Sequence, residues 1–486
     1  MSKDYLLAIG VMTGNSLDGV DVVLSKFSRN GDIEDLASYS LKSPDSLKAK
    51  LLKLRDVASK CGGNTTLIEN EFNSKSLKDN FTFSDLHSEY IHFVARAVNK
   101  LIGIAKNLDQ IDLIGFHGQT CAHFPPSIAK TKDATRCYTL QLGNGQELAN
   151  LTGISVVYDF RSDDIMQGGE GAPLAPVHHE HLGKIAEKNG FLPIAFLNAG
   201  NTGNITIISK SSKNNSQAVL GFDVGPCNHF ADRLTHSEKN LACDTNGDFG
   251  KNGQVNLDLL KLLFEKSVTT KDGENFILKS PPKSSDPEWY KVIPELSPEF
   301  KISGETLSFE DRIRTVEYFS AYLFFHSLSL LKEDIEMPCH FALCGGGWNN
   351  LVIRDHFNAL LNGDRSVSPV LPEHQKIFDD ILRRAKAKMQ ANLSTYYGFD
   401  GTYMEARIFA DAAVSRIKGE AFSLPATTGV SAPCVLGLIR FPNGDMSLAS
   451  DTLQRWLNDF NSPALTSDVS STDSNWSRAT AGWSTR

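Results

Sequence analysis

The 486-residue sequence has no apolar run close to the roughly 20 residues that a membrane-spanning helix requires. Its first residues, MSKDYLLAIGVM, also lack the pattern of a secretory signal, because their apolar stretch runs straight into a predicted hairpin. With 49 basic and 57 acidic residues the net charge is −8, so the chain has no positive excess to neutralise the phosphates of a nucleic-acid duplex. We therefore expect a cytoplasmic protein that binds neither membranes nor nucleic acid.

Several short motifs are also missing. The eight cysteines occur singly, without the CxxC spacing of a zinc site or a disulfide framework, as is typical of a reducing compartment. No GxxxxGK[ST] motif occurs and no GxGxxG follows a predicted strand, which excludes a P-loop and the dinucleotide fingerprint. With 41% apolar residues and this length, the chain exceeds what one hydrophobic core usually organises, and we expect two domains.

Two stretches about 185 residues apart repeat one pattern of apolar strand, polar turn and apolar strand. They are AIGVMTGNSLDGVDVVL at 8–24 and LPIAFLNAGNTGNITIIS at 192–209. Short apolar runs bounded by turn residues favour strands, and their similarity suggests two lobes of related construction. Strands that alternate with helical patterns elsewhere, such as the amphipathic stretch at 83–106, indicate mixed α/β layers.

The first turn carries residues that suit a phosphate and its metal. Gly14 lets the backbone approach a ligand, and the residues beside it, Thr13, Asn15 and Ser16, can donate hydrogen bonds. Asp18 and Asp21 can hold Mg²⁺, directly or through water, because this ion prefers oxygen ligands. An ordinary turn is the alternative.

Three successive glycines in CGGGWNN, at 344–350, lie between a predicted buried strand and a helix. They leave backbone N–H groups and a bare surface for a phosphate or a flat ring. A crowded strand–helix junction is the alternative reading.

These three turns, in this order, resemble those of anhydro-N-acetylmuramic acid kinases, which belong to the superfamily of sugar kinases, heat-shock chaperone ATPases and actin. The family pattern Ser-Gly-Thr-Ser-x-Asp-Gly-x-Asp is similar to residues 13–21. Further similar segments lie at 117–120, 152–154, 159–161, 168–174, 223–228, 282–284, 344–347 and 404–406. The resemblance covers residues 6–440.

The resemblance implies a two-lobed α/β fold in which each lobe is a mixed β-sheet flanked by helices, with a cleft between the lobes. We expect the lobes to be residues 1–190 and 191–440. The remaining residues, 441–486, are rich in Ser and Thr, and we expect a disordered tail.

The resemblance also implies an activity. Such enzymes use ATP and Mg²⁺ to open the internal 1,6-anhydro bridge of a sugar, adding water at C1 while O6 takes the γ-phosphate. Asp223 matches the catalytic base, and a carboxylate can remove the proton of an attacking water. Phosphoryl transfer itself needs mainly positioning and charge neutralisation.

The resemblance places each ligand on named residues. ATP is expected at Gly14, Asn15, Ser16, Leu17, Asp18, Gly19, Val20, Asp21, Asn201, Thr202, Gly345, Gly346 and Gly347. Asp18 is also expected to bind Mg²⁺, directly or through water. The sugar is expected at His117, Gln119, Thr120, Asp159, Arg161 and Glu405. Arg161 suits a two-pronged contact with the lactyl carboxylate of a muramyl sugar. A structural ion pair of Arg161 with Asp159 or Asp163 is the alternative.

The chain departs from the family pattern at several positions. The second turn reads NAGNTGN at 198–204, where the family has Asn-Ile-Gly-Gly-Ile-Ala-Asn. Single replacements near the expected ligands are Asn15, Val224, Cys227 and Pro287. Three functions stay open: a kinase of 1,6-anhydro-N-acetylmuramic acid, a kinase of a relative such as levoglucosan, and a non-catalytic sugar- or nucleotide-binding regulator. The retained Asp18, Asp223, Arg161 and Glu405 favour catalysis.

Two other features have simple interpretations. The histidines of HHEHL, at 178–182, are too poorly spaced on a helix for joint metal ligation, and we expect them on a helix surface. The apolar stretch at 318–331 is expected to be buried between layers or to form a homodimer contact such as the family uses.

Overall fold

The computed structural model describes residues 3–14, 16–76, 81–105, 108–131, 133–211, 217–270, 272–281, 283–285, 289–302, 304–462 and 474–479. Asn15 and Pro287, named above, lie outside these residues, as does Pro282 of the segment 282–284. The chain forms two compact units. The first consists of Met1–His181 with Tyr403–Arg486, and the second of Leu182–Thr402.

The strands, in chain order, are β1 Tyr5–Thr13, β2 Gly19–Ser28, β3 Ile33–Lys42, β4 Leu113–Phe116, β5 Gln119–Phe124, β6 Tyr138–Leu142, β7 Ser155–Tyr158, β8 Ile194–Ala199, β9 Thr202–Lys210, β10 Gln217–Pro226, β11 Lys301–Ile302, β12 Glu305–Thr306, β13 His340–Cys344, β14 Gln390–Leu393 and β15 Leu438–Arg440.

The α-helices are α1 Asp45–Lys60, α2 Thr65–Ser76, α3 Phe83–Ile104, α4 Pro126–Ala129, α5 Gly145–Thr152, α6 Ser162–Met166, α7 Ala175–Lys188, α8 Asn228–Lys239, α9 Leu257–Lys266, α10 Phe309–Ser327, α11 Leu351–Leu361, α12 Gln375–Arg384, α13 Met404–Lys418 and α14 Asp451–Asp459. Among the described residues no helix combines the length and the apolar character needed to cross a bilayer.

Each unit is built on one mixed sheet, and the five strands of the second sheet repeat the topology of five of the six strands in the first. The strand order is β15-β7-β4-β1-β2-β3 in the first unit and β10-β9-β8-β13-β14 in the second. In both, an antiparallel three-stranded meander is extended by two parallel strands, which are β4 and β7 in one sheet and β13 and β14 in the other. The predicted α/β class, with a mixed sheet flanked by helices in each lobe, is confirmed.

The amphipathic stretch predicted as a helix is α3, and its start is set by a capping box. Thr82 accepts a hydrogen bond from the Asp85 backbone, and the Asp85 carboxylate accepts one from the Thr82 backbone in return. The apolar stripe of α3 is buried under the first sheet, together with the faces of α1 and α2. The local sequence therefore fixes both the start of this helix and its buried face.

Helix α13 returns the chain to the first unit because glycines let it lie directly on the sheet. A Cβ atom added at Gly10 or Gly115 would lie 1.8 or 1.9 Å from a carbonyl oxygen of α13, so neither position has room for a side chain. This return differs from the predicted boundaries, since 403–440 belongs to the first unit and the second ends at Thr402.

The described parts of the expected tail are structured. Helix α14 buries Leu453, Trp456 and Leu457, which recur at the spacing of one helical face. Residues 474–479 also pack in the first unit, where Leu142 and Trp476 form a β-bridge. The expectation of disorder is therefore wrong for these two segments, because a few apolar side chains anchor an otherwise polar sequence.

The apolar stretch at 318–331 lies within α10 and the short 3₁₀ helix that follows it. Its aromatic residues are completely or almost completely buried inside the second unit, where they form the centre of its core. This confirms burial between layers, so the apolar character of the stretch needs no second copy of the chain to explain it.

Candidate functional site

The turn between β1 and β2 exposes polar groups over a buried anchor. Ser16 and Asp18 are exposed, whereas Leu17 between them is buried in the core of the first unit. Leu17 has a φ of 58°, a left-handed conformation that costs a non-glycine residue about 1–2 kcal/mol. Its backbone N–H donates to the Gly14 carbonyl at 3.2 Å, which closes the turn.

Not every residue predicted to bind ATP at this turn has a side chain that can reach a ligand. Leu17 and Val20 are core residues, so only their backbone could contact a nucleotide. Gly19 lies against β3, where an added Cβ would come within 2.5 Å of the Leu41 carbonyl oxygen. Its glycine is therefore explained by strand packing.

Asp18 and Asp21 differ in their surroundings. The Asp18 carboxylate accepts a hydrogen bond from Lys48 Nζ at 2.5 Å. Burial works to raise its pKa, but hydrogen bonds from Lys48 and Ser16 outweigh that effect and lower the pKa. Asp21 accepts from Ser40 Oγ, and burial raises its pKa. Asp18 is thus an exposed, charged carboxylate, as a hydrated Mg²⁺ requires, although the described residues contain no cluster of three metal-ligating side chains.

Several of the predicted sugar-binding residues come together in the first unit. Arg161 Nε donates to His117 Nε2 at 2.9 Å, and Arg161 Nη1 donates to the Gly171 carbonyl at 2.7 Å. His117 must therefore be the acceptor at Nε2, in agreement with its burial, which holds its pKa well below the usual value. Arg161 Nη2 makes no hydrogen bond to the part of the chain that the structure describes. Burial lowers the pKa of Arg161 to about 10, so the guanidinium stays charged at neutral pH.

The other predicted residues lie around this pair. Gln119 Nε2 donates to the Gly14 carbonyl at 3.4 Å, which links the sugar-binding segment to the first turn. Thr120 is half-buried on β5. Glu405, in the first turn of α13, keeps solvent access. Desolvation and then the charge of Asp21 raise its pKa, and Arg161 opposes them.

Asp159 pairs with Arg478, which lies outside the motifs that resemble the family. Its Oδ1 accepts from Ser162 Oγ at 2.5 Å, and its Oδ2 accepts from the backbone N–H and Nε of Arg478 at 3.0 and 2.7 Å. Burial raises the pKa of Asp159, and the charge of Arg478 opposes that shift. The ion pair considered as an alternative for Arg161 is thus formed by Arg478, which also donates to Asp163.

In the second unit, Asp223 is held on one side only. Its Oδ2 accepts from the Ser285 backbone N–H at 2.8 Å and from the hydroxyls of Ser284 and Ser285 at 3.2 Å. Its Oδ1 accepts no hydrogen bond within the described ranges. Burial raises the pKa of Asp223, while these donors and Lys283 lower it. A carboxylate fixed through one oxygen, with the other available, suits proton abstraction from water.

Tyr290 and Lys283 support Asp223, and neither was predicted to have a role. The Tyr290 hydroxyl lies 2.6 Å from Ser285 Oγ and 2.9 Å from Thr202 Oγ1. Lys283 Nζ donates to the carbonyls of Phe276 and Ile277, and burial lowers its pKa to about 7. The only sequence signal was that Lys283 and Ser284 lie in a segment that resembles the family.

The second turn is joined to the glycine motif. Gly200 and Asn201 use their carbonyls to accept from the backbones of Asn228 and Cys227, at 3.1 Å each. An added Cβ at Gly345 would lie 2.8 Å from the Ala199 carbonyl oxygen, and one at Gly347 would lie 3.0 Å from it. A Cβ at Gly346 would meet nothing within 4 Å. Of the three glycines, only Gly346 therefore has open space beside it.

Two of the three histidines of HHEHL, His178 and His179, are buried and not on a helix surface as predicted. His178 Nδ1 and His181 Nδ1 both lie 2.7 Å from Asp411 Oδ2, on α13. The partner Asp411 is 230 residues away from His181 in the sequence, so no local pattern could reveal it. The cysteines at 227 and 344 are buried, in agreement with a packing role.

Comparisons with known proteins identify the family. The sequence model of the anhydro-N-acetylmuramic acid kinase family matches residues 6–370. Anhydro-N-acetylmuramic acid kinase of Haemophilus influenzae is 31% identical over 454 residues, which cover 91% of this chain and 99% of that protein. The enzyme of the same name from Vibrio cholerae is 30% identical over 439 residues, which cover 90% and 99%.

Among solved structures, gluconate kinase from Lactobacillus acidophilus is similar over 83% of this chain and 96% of its own, at 11% identity and a TM-score of 0.33. The family match over most of the chain and the relatives at 30% identity or more are decisive: the chain belongs to the anhydro-N-acetylmuramic acid kinase family, whose members are phosphotransferases with an alcohol group as acceptor.

Proposed function

We propose that this chain uses ATP and Mg²⁺ to open the 1,6-anhydro bridge of 1,6-anhydro-N-acetylmuramic acid and to phosphorylate the sugar at O6. The observation that carries the proposal is the environment of Asp223, whose Oδ2 is fixed by Ser284 and Ser285 while Oδ1 stays available. Asp223 Oδ1 takes a proton from a water whose oxygen bonds to C1. The C1–O6 bond breaks, O6 bonds to the γ-phosphorus, and ADP leaves.

The residues of the first unit supply binding in this proposal. Arg161 is held by His117 and Gly171, and its Nη2 remains for the lactyl carboxylate of the sugar. Asp18 would hold Mg²⁺ through water, and the ion would neutralise the phosphates of ATP. The nucleotide would lie beside Gly346, where an added Cβ would meet nothing within 4 Å.

The test is an ADP-release assay with Mg-ATP and a panel of sugars: 1,6-anhydro-N-acetylmuramic acid, levoglucosan and glucose. We expect ADP with the muramyl sugar and its loss in Asp223→Asn, whereas Asp355→Asn, at an exposed aspartate of α11, stays active. Activity on levoglucosan alone would reassign the sugar. Activity on glucose but not on bridged sugars would remove the water-activating role of Asp223. No ADP with any sugar would favour a binding regulator.

A further inference from the structure

Residues 474–479 extend the β5–β6 sheet of the first unit. The backbone N–H of Thr139 donates to the Ala479 carbonyl at 2.8 Å, and that of Gly143 donates to the Asn475 carbonyl at 3.0 Å. Between them, the Ser477 backbone N–H donates to the Gln141 carbonyl at 3.1 Å. The segment therefore lies along β6 as an added extended strand.

Side chains also anchor this segment firmly. The Trp476 ring is buried and stacks on Phe83 with ring centroids 5.3 Å apart, and its Nε1 donates to Glu69 at 2.9 Å. Ala479 is completely buried, and its backbone N–H donates to Ser162 Oγ at 3.0 Å. The burial and the hydrogen bonds integrate this segment into the first unit.

The anchored segment directs Arg478 onto the turn that carries the predicted sugar residues. Arg478 Nε donates to Asp159 and its Nη2 donates to Asp163, at 2.7 and 2.8 Å. Asp159 has a φ of 59°, which a non-glycine residue keeps only when its surroundings hold it. Arg161 follows two residues later, immediately before α6. Arg478 thus holds the start of the turn whose end presents Arg161.

Asp159 itself is poorly placed to touch a sugar. It is only 3% exposed, and both of its oxygens already accept hydrogen bonds. The cavity that it shares with His117 and Ser477 has a volume of about 10 Å³, room for one water at most. The sequence resemblance placed Asp159 among the sugar ligands, whereas its contacts point to a supporting role.

We propose that Arg478 is a positioning residue of the sugar site, which neutralises Asp159 and Asp163 and thereby fixes the turn that presents Arg161 to the substrate. The proposal rests on the proposed function, because it assigns a role in binding the same sugar. Without Arg478, a buried Asp159 lacks its counter-charge, and the turn loses the bonds that hold its left-handed residue.

The test compares Arg478→Met and Arg478→Lys with Arg96→Gln, which removes one charge from an exposed position of α3. We expect Arg478→Met to raise the KM for the muramyl sugar about 10- to 100-fold, because displacing a substrate-binding group by about 1 Å has effects of this size. The KM for ATP should stay within about threefold, since none of the residues expected to bind the nucleotide belongs to this turn. Arg478→Lys keeps the positive charge but lacks the forked guanidinium, so its KM for the muramyl sugar should lie between those of the wild type and Arg478→Met.

A stability measurement tests the pairing without any activity. The destabilisation by Arg478→Met, measured by denaturant unfolding, should grow as the pH rises and Asp159 becomes charged, and Asp159→Asn should relieve much of it in the double variant. An inactive wild type would overturn the proposed function, while this unfolding cycle would still report the pairing. An active wild type whose sugar KM is unchanged in Arg478→Met would overturn the positioning role, even if stability falls. If Arg478→Met fails to fold, Arg478→Lys and Asp163→Asn provide the same comparison.

Discussion

Asp159 follows strand β7 of the first unit and Asp223 lies within strand β10 of the second. Burial raises the pKa of both, yet their oxygens are used differently. Asp223 is held through Oδ2 by serine hydroxyls and one backbone N–H, and Oδ1 is left available. Asp159 has both oxygens occupied, one of them by the guanidinium of Arg478. Residue type and burial therefore do not distinguish the proposed catalytic base from the other aspartate. The oxygen that the protein leaves available does.

The largest expected effect is that of Asp223→Asn. An amide cannot take the proton of the attacking water, so kcat should fall about 10²- to 10⁴-fold, the usual contribution of a general base. The loss of activity is measured as ADP release. The denaturation midpoint of the variant should stay close to that of the wild type. If the variant keeps more than about a tenth of wild-type kcat, Asp223 does not act as the general base, and the proposed difference in role between the two aspartates is wrong.

Arg161→Met tests the sugar side of the comparison. Losing a charge-assisted contact with a carboxylate should raise the KM for the muramyl sugar about 10- to 100-fold. The KM for levoglucosan, which has no lactyl carboxylate, should not change if that sugar is turned over. Equal increases for both sugars would show that Arg161 acts only by holding His117.

Ser285→Ala should change the pH dependence rather than the maximum rate. The base works as the carboxylate, so kcat/KM rises with pH as Asp223 loses its proton, and its raised pKa places this rise above the ordinary range of an aspartate. Removing a donor to Oδ2 destabilises the charged form and raises the pKa further. The acid limb should therefore move to higher pH. If the acid limb does not move, or moves to lower pH, the rise of kcat/KM does not reflect the ionisation of Asp223.

The smallest effect on turnover is expected for Asp159→Asn. Its role is to hold the turn, so kcat should stay within about threefold while the free energy of unfolding falls by about 1–3 kcal/mol through the lost hydrogen-bonded charge. Denaturant unfolding and ADP release on the same samples measure the two quantities. A kcat loss as large as that of Asp223→Asn would show that Asp159 also takes part in the reaction.

Much of the architecture could be predicted locally. The apolar strands around both turns predicted the hairpins β1–β2 and β8–β9, because short apolar runs and turn residues act over a few positions. Their similarity also indicated related lobes, and the matching strand orders agree with that. The return of the chain to the first unit at Tyr403 was missed, because the contact of α13 with Gly10 and Gly115 joins positions about 300 to 400 residues apart.

The site was predictable in its residue types but less so in their contacts. The order of the motifs indicated Asp223 and Arg161, whose environments suit the proposed roles. Tyr290 lies outside the quoted motifs and was missed, and so was Arg478, which follows a stretch rich in Ser and Thr. Such partners are brought together only by packing.

The sequence by itself determined the hairpins, the helical faces and the family, because periodicity, turn chemistry and motif order are properties of the linear chain. The tertiary structure alone decided which groups remain available. In the folded chain the Asp159 carboxylate pairs with Arg478, the Asp411 carboxylate with two histidines, and the Thr202 hydroxyl with Tyr290. One oxygen of Asp223 has no partner among the described residues. The physical reason is that a hydrogen bond satisfies a polar group wherever its partner lies in the sequence, and only folding sets the distances.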